Sequence, residues 1–76
     1  MNIQTTNKSL NKIIDELIIL FRKREFYFLI EKAKEKIKEF PESFELYNLI
    51  GITFAEIRNI KQSIKYYKKA LIANPK

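Results

Sequence analysis

Two prolines close stretches of this chain that have similar length and similar endings. Pro41 and Pro75 terminate the related segments Lys38–Pro41 and Ile72–Pro75. Repetition at a fixed period of roughly 20–50 residues is typical of stacked helical repeats, in which neighbouring units bury a shared core. The separation of the two prolines falls in that range, and it therefore predicts a helical unit that occurs twice.

The composition agrees with one small helical domain. Of the 76 residues, 46% are hydrophobic, which is enough to build a core in a chain of this size. One Gly and two Pro are too few for a many-stranded sheet, in which turns recur every ~8–12 residues. We therefore expect an all-α fold.

The residue types on which most enzymes depend are missing. The chain has no Cys and no His, which removes disulfides, thiolate metal ligands and the commonest general base. The adjacent acids Asp15 and Glu16 point about 100° apart on a helix. Glu35 and Glu39 form an i,i+4 pair that solvent is expected to surround. We expect no enzyme activity, no cofactor and no metal site.

Apolar residues at three- and four-residue spacing outline four amphipathic helices. The predicted segments are Leu10–Arg22, Phe26–Glu39, Phe44–Ile57, and a fourth that begins after Asn59 and ends at Pro75. The connections between them are about three to five residues long, which makes neighbouring helices antiparallel. The chain is thus expected to form two helical hairpins.

Local signals indicate where these helices begin and end. Ser9 and Ser43 are predicted N-caps. Asn59, followed three residues later by Gln62, has the pattern of a capping box. Pro41 stops the second helix, because the residue before a proline is pushed out of helical geometry.

The second half of the chain carries an ordered pattern of large and small residues. Its positions are Tyr47, Ile50, Gly51, Phe54, Ser63, Tyr67, Ala70 and Pro75. In order and spacing they resemble the tetratricopeptide repeat (TPR), whose pattern alternates aromatic, apolar and small residues over about 34 positions and ends in Pro. The resemblance implies two antiparallel helix-turn-helix hairpins that stack as a short α-solenoid.

The two predicted repeats are not equally clear. We expect a flexible N-terminal tail at residues 1–9 and a TPR-like domain at 10–76, with a degenerate repeat at 10–42 and a clear one at 43–76. Positions of the degenerate repeat that correspond to the pattern are Ile13, Glu16, Leu17, Leu20, Leu29, Ala33 and Lys36. Most keep only apolar character, as is common for the end units of a repeat array.

Gly51 lies inside the third predicted helix, where Gly costs ~1 kcal/mol relative to Ala. A close approach of the paired helix would explain it, since Ser63 and Ala70 are small residues on that helix. The alternative is that Gly51 breaks the third helix.

Arg24 and Arg58 occupy turn positions at which the TPR family often has Gly. A left-handed backbone at these positions costs free energy for Arg. We hypothesise that such a turn can straighten, which would fuse two helices and let hairpins exchange between chains.

The resemblance also implies a binding surface. In the TPR family the first helix of each hairpin lines a concave face that binds a protein or peptide. Side chains expected on this face are Asn11, Ile14, Ile18, Phe21, Glu45, Asn48, Leu49 and Ile52. Asn48 is the candidate for hydrogen bonding to a peptide backbone. The leading hypothesis is a protein–protein interaction module, although the same stripe could be core or a self-association surface.

All of the net charge of +6 comes from the last part of the chain. Residues 1–56 carry nine basic and nine acidic side chains, and no acid follows Glu56. Four lysines share part of one face of the last helix: Lys61, Lys65, Lys68 and Lys69. This face could bind nucleic acid, with Tyr66 free to stack on bases because Tyr67 falls on a repeat-core position. The simpler explanation is a solvated helix face.

The last predicted helix also carries apolar residues for which the chain offers no partner. Ile64, Tyr67, Leu71 and Ile72 would flank the next hairpin of an array. Either the chain belongs to a longer array or another copy covers them, and we expect a homo-oligomer because large apolar patches seldom stay bare. The longest apolar run, residues 17–21, is far shorter than the ~20 residues that span a bilayer. We expect a cytoplasmic location with no membrane partner.

Overall fold

The computed structural model describes the backbone of residues 3–75 and the side chains of residues 9–75. Over that range the chain forms four α-helices and no strand: α1 (Ile3–Arg22), α2 (Phe26–Ile37), α3 (Phe44–Glu56) and α4 (Ile60–Ala73). Consecutive helices pack on each other, and α1 also touches α3. The predicted all-α class is confirmed.

The first helix begins earlier than the sequence predicts. It starts at Ile3 instead of Leu10, and Ser9 lies inside it, so the prediction of Ser9 as an N-cap is wrong. Polar residues lower helix propensity by less than about 0.7 kcal/mol each, and neither Gly nor Pro interrupts this stretch. The proposed tail is therefore helical from Ile3 onward, while Met1 and Asn2 lie outside the described residues.

The other two predicted N-caps are confirmed. Ser43 Oγ accepts a hydrogen bond from Leu46 N at 3.2 Å, and Asn59 Oδ1 accepts one from Gln62 N at 3.3 Å. The reciprocal half of the predicted capping box is wrong. The Asn59 N–H donates instead to the Phe54 carbonyl oxygen at 2.8 Å, so it needs no bond from a side chain.

Three helices end slightly before their predicted boundaries, and one of these, α4, ends at Ala73, two residues before Pro75. The second ends at Ile37 instead of Glu39, and the third at Glu56 instead of Ile57. After Ile37 the chain tightens, because the Lys38 and Glu39 N–H groups donate to carbonyls three residues back, at 3.2 and 3.0 Å. Such bonds satisfy the free carbonyls at a helix end.

The sequence period is present in the backbone. The end of α3 follows the end of α1, and the start of α4 follows the start of α2, by the same interval that separates Pro41 from Pro75. Arg24 and Arg58 lie in the two turns with left-handed φ angles of 62° and 67°. In each turn the residue after the Arg donates its N–H to the carbonyl five positions earlier, at 3.0 Å in the first and 2.8 Å in the second. Both hairpins thus close with the same turn, at a position that usually favours Gly.

The core lies between α2 and α3, and α1 closes one side of it. Its buried apolar members are Leu17, Leu29, Ile30, Ala33, Leu46, Ile50 and Phe54. The fourth helix contributes the small buried residues Ser63 and Ala70, and Tyr66 packs against the core from its edge. The buried Thr53 hydroxyl donates to the Leu49 carbonyl oxygen at 2.7 Å. Among the described side chains, no buried polar atom lacks a hydrogen-bond partner.

Gly51 is buried within α3, which continues through it, so the alternative of a helix break is wrong. A Cβ at this position would lie 2.8 Å from Tyr67 Cδ1 and 3.3 Å from the Ser63 carbonyl oxygen. The predicted close approach of α4 is confirmed. Leu17 holds the equivalent place in α1, and α1 packs on α2 much less extensively than α3 packs on α4. Leu17 is itself fully buried in the core.

Candidate functional site

The residues predicted for a concave face lie on two helices that touch, α1 and α3. They differ in how much of each side chain a partner could reach. Asn11, Glu45 and Ile52 are exposed. The half-buried members are Ile14, Ile18, Phe21, Asn48 and Leu49. Fewer than half of the predicted side chains are therefore freely accessible.

Three of the half-buried side chains on this face support the fold. Ile14, Phe21 and Leu49 pack against the core. Phe21 also meets the buried Phe26 edge-on, with ring centroids 5.2 Å apart. The alternative that the stripe is core fits these three residues. Alanine at Phe21 or Leu49 would lower stability together with any binding, so neither substitution isolates a binding contribution.

A second apolar surface runs along α4. The α4 flank, as we name it, comprises Ile60, Ile64, Tyr67 and Leu71, with Phe44 and Asn48 on the facing side of α3. Its α4 members recur at spacings of three and four residues, so they lie on one side of the helix. A shallow hollow of about 380 Å³ opens between the two helices, lined by side chains of both.

The α4 flank is bare, as the sequence predicts. Leu71 is 63% exposed, and Ile72, which lies beyond the flank towards the lysines, is 82% exposed. Ile60, at the start of this helix, is also exposed. The structure thus leaves several large apolar side chains of one helix in contact with solvent.

The prediction that Tyr66 is free is wrong, whereas Tyr67 makes the contact with Gly51 that the pattern implies but stays partly exposed. Tyr66, expected to be free, stacks on Phe54 with ring centroids 5.7 Å apart, and lies 6.4 Å from Tyr47. Tyr67, expected in the repeat core, is 37% exposed and lies against Gly51. The small residues of α4 face α3. In this orientation of α4, Tyr66 points towards the core and Tyr67 towards the hollow between α3 and α4.

A row of lysines borders the α4 flank on one side. Its members are Lys61, Lys65, Lys68 and Lys69, all exposed. Together with Ile64 and Ile72 they line a hollow of about 480 Å³. Among residues 9–75 the one ion pair joins Lys36 Nζ to Glu39 Oε2 at 3.3 Å. The lysine row is therefore not neutralised by any described carboxylate of this chain.

A third exposed apolar patch lies on the first hairpin, and the sequence did not single it out. Ile19 and Phe28 line a hollow of about 200 Å³, bordered by Glu16 and Lys32. Phe28 could have been found, because it falls outside the predicted apolar stripe of its helix. Ile19 could not, because it sits in the unbroken apolar run 17–21, where periodicity does not separate the faces.

The described residues offer no site for a metal ion, since no three of their His, Cys, Asp or Glu side chains cluster suitably. None of the described helices combines the length and apolar character needed to cross a bilayer. No family model, no curated protein and no solved structure matches the chain. The TPR resemblance consequently rests on the sequence pattern alone.

Proposed function

We propose that this chain is a protein–protein interaction module of the TPR type, with two hairpins stacked as a short α-solenoid. Its binding surface is the face formed by α1 and α3, and its partner is a peptide, a helix of another protein or another copy of the chain. The residues that make the first contacts are the exposed ones, Asn11, Glu45 and Ile52, together with the half-buried Ile18 and Asn48, which are not part of the core cluster. The chain has no catalytic role in this proposal.

Support for the repeat assignment comes from the two turns. Arg24 and Arg58 share a left-handed conformation and one hydrogen-bond pattern, and they are separated by one period of the sequence repeat. Gly51, Ser63 and Ala70 hold the small positions of the pattern, and all three are buried where α3 meets α4. A sequence period that is repeated in backbone geometry is what a helical repeat requires.

The observation that carries the interaction proposal is the contrast between a fully satisfied interior and bare apolar side chains outside. No described buried polar atom is unpaired. Yet large apolar side chains stay exposed on α1, α2, α3 and α4, among them Ile19, Phe28, Ile52 and Leu71. Contiguous exposed apolar surface on a well-packed domain is typical of sites that bind other proteins.

Selection from a displayed random-peptide library, with the intact chain as bait, tests this function. Selected peptides are then titrated against Ile18→Asp and Ile52→Asp, two variants of the proposed face. Tyr27→Asp, on the exposed side of α2, is the matched control. Each face variant should weaken binding tenfold or more, and the control less than twofold. Failure to select any peptide, or equal affinity for all folded variants, would reject the proposal.

Nucleic-acid binding through α4 is the second candidate. It is favoured by the unpaired lysine row and by the exposure of Tyr67, whereas Tyr66 is engaged with the core. A single accessible ring makes a poor stacking platform. If this candidate is right, affinity for an oligonucleotide will fall steeply between about 50 and 200 mM salt, roughly in proportion to the number of phosphates contacted. A shallow salt dependence would exclude it.

Self-association and a cytoplasmic location remain predictions of the sequence. Sedimentation equilibrium over a wide concentration range tests the first. A single monomeric species at every concentration would remove the homo-oligomer from the set of partners. Fluorescence microscopy of the tagged chain in its own cells tests the second.

A further inference from the structure

The α4 flank has a definite shape and length. Ile60, Ile64 and Leu71 are exposed at spacings of four and seven residues, which places them along one line of the helix surface. The line is about 16 Å long at about 1.5 Å of rise per residue. Phe44 and Asn48 of α3 stand opposite the C-terminal half of this line, where Leu71 lies, and Ile64 lines the neighbouring hollow with the lysines. An exposed apolar line of this length can pack against another helix of about three turns.

The charge beside the apolar line has one sign. Lys61 and Lys68 lie next to the apolar stripe, whereas Lys65 lies over the Tyr66 ring and Lys69 lines a hollow with Glu42 and Tyr47 on the far side of the helix. No acid occurs after Glu56. Lys65 has like-charged neighbours at i−4, i+3 and i+4, each of which destabilises a helix by about 0.2–0.5 kcal/mol. Lys61 also lies in the first turn, where the helix dipole favours acids. Within the chain the described compensation is one contact, between Lys65 Nζ and the Tyr66 ring, whose centroid is 5.9 Å away.

We propose that the α4 flank docks an amphipathic helix whose apolar stripe is bordered on one side by Glu or Asp. The apolar stripe of the partner covers Ile60, Ile64 and Leu71, while its carboxylates reach Lys61 and Lys68. This surface shares Asn48 with the concave face proposed above, but its α4 residues and its partner lie beyond that face. The inference does not depend on that face being a binding site.

Other occupants fit the flank less well. The exposed patch of a second copy, at Ile19 and Phe28, is bordered by Glu16 and Lys32, so it offers no excess of negative charge. A nucleic acid would neutralise the lysines but leave Ile60, Ile64 and Leu71 uncovered. A helix bordered by acids would both cover the apolar side chains of the flank and place carboxylates beside its lysines.

Three designed helical peptides, each five turns long, test the proposal. They share one leucine stripe, and the residues on one border of the stripe are Glu, Gln or Lys. Binding of the labelled peptides to the intact chain is followed by fluorescence anisotropy at low and at high NaCl concentration. The Glu peptide should bind at least tenfold more tightly than the Gln peptide at low salt, and the Lys peptide should not bind. The advantage of Glu should shrink at high salt because salt screens exposed charges.

Two matched pairs of variants locate the site. Ile64→Asp and Ile19→Asp introduce the same change at residues that are 49% and 50% exposed. Only Ile64→Asp should weaken binding of the Glu peptide, by tenfold or more. The double variant Lys61→Gln with Lys68→Gln should weaken it about tenfold, while Lys12→Gln with Lys38→Gln should change it less than twofold. Circular dichroism establishes that each variant is folded.

Several outcomes would overturn the inference. Equal affinity of the Glu and Gln peptides would show that no charged contact contributes to binding. Absence of binding at millimolar peptide concentration would show that the α4 flank is not a binding site for such a helix. Loss of binding in Ile18→Asp but not in Ile64→Asp would move the peptide to the concave face, leaving the proposed function intact. A dimer that Ile64→Asp dissociates would mean that a second copy covers the flank. Competition by oligonucleotides with no effect of Ile64→Asp would favour nucleic acid.

Discussion

At the scale of single residues, Gly51 determines how the second hairpin packs. Its missing Cβ leaves room for the Tyr67 ring and the Ser63 carbonyl. Leu17 fills the equivalent place in the first hairpin, and there the two helices pack less extensively. The tighter hairpin is thus the one that has small residues at these positions, Gly51 and Ser63, where the other has Leu17 and Leu29.

Gly51→Ala should therefore lower the free energy of unfolding by about 1 kcal/mol. Overpacking costs about 1–3 kcal/mol, whereas the better helix propensity of Ala returns about 1 kcal/mol. In a Tyr67→Ala background the same substitution should be close to neutral, because the ring that stands 2.8 Å from the new Cβ is gone. Urea denaturation of the four proteins measures this cycle. A stabilising Gly51→Ala in the wild-type background would contradict it.

The left-handed arginines provide a second test at this scale. Arg58→Gly should raise the free energy of unfolding by about 1 kcal/mol, since a left-handed backbone costs a residue with a Cβ about 1–2 kcal/mol. Arg24→Gly should gain less, because the Arg24 guanidinium lies 5.1 Å from the Phe26 ring centroid and this contact is lost. Thermal and urea unfolding check the order. No gain in either variant would mean that the turns are not strained.

At the scale of helices, most boundaries followed from the sequence and some did not. Ser43, Asn59 and Pro41 are local signals, so α3, α4 and the end of α2 could be predicted to within two residues. The start of α1 could not, because the polar residues before Leu10 neither favour nor forbid a helix. Ser9 therefore looked like a cap although the helix continues through it.

Alanine substitutions distinguish true caps from the mistaken one. Ser43→Ala and Asn59→Ala should each cost about 1 kcal/mol, since each removes the acceptor of a helix N–H. Ser9→Ala should leave stability unchanged or raise it by up to about 0.5 kcal/mol, because Ala is the better helix former. Chemical denaturation under one set of conditions compares them. If Ser9→Ala lowered stability as much as Ser43→Ala, Ser9 would be a true N-cap and α1 would begin near Leu10.

The lysine row makes a prediction about α4 as a whole. Lys65→Glu should stabilise the chain by about 1 kcal/mol at low salt, since three like-charge neighbours become opposite-charge neighbours. Lys12→Glu, the same change on α1, should destabilise it, because Lys12 has Asp15 and Glu16 at i+3 and i+4. Both effects should fade in about 1 M NaCl. If Lys65→Glu and Lys12→Glu changed stability in the same direction, the assignment of unpaired positive charge to α4 would be contradicted.

At the scale of the whole molecule, the sequence predicted the number and order of the helices but not which faces they expose. Apolar spacing assigns a side chain to a helix face, whereas exposure depends on how the helices rotate against each other. Tyr66 packs against the core for this reason, whereas Tyr67 lies against Gly51 and stays partly exposed. Likewise, Phe21 and Leu49 proved to be partly core.

The described part of the chain combines a well-packed core with apolar helix faces that are exposed to solvent. A core shared by three helices holds the chain together, while the face formed by α1 and α3 and the α4 flank present apolar side chains to solvent. Two such faces, one shared by α3 with α1 and the other with α4, would allow one small domain to contact two partners.

The central claim, that the bare helix faces bind protein partners, is tested most directly by nuclear magnetic resonance. The isotopically labelled chain is titrated with a library-selected peptide and with the Glu-bordered helix. We predict that perturbed amide resonances will cluster on the α1–α3 face for the first ligand and on the α4 flank for the second, with residues 31–38 unaffected. Absence of perturbation at millimolar peptide, or shifts scattered evenly over all four helices, would contradict the claim.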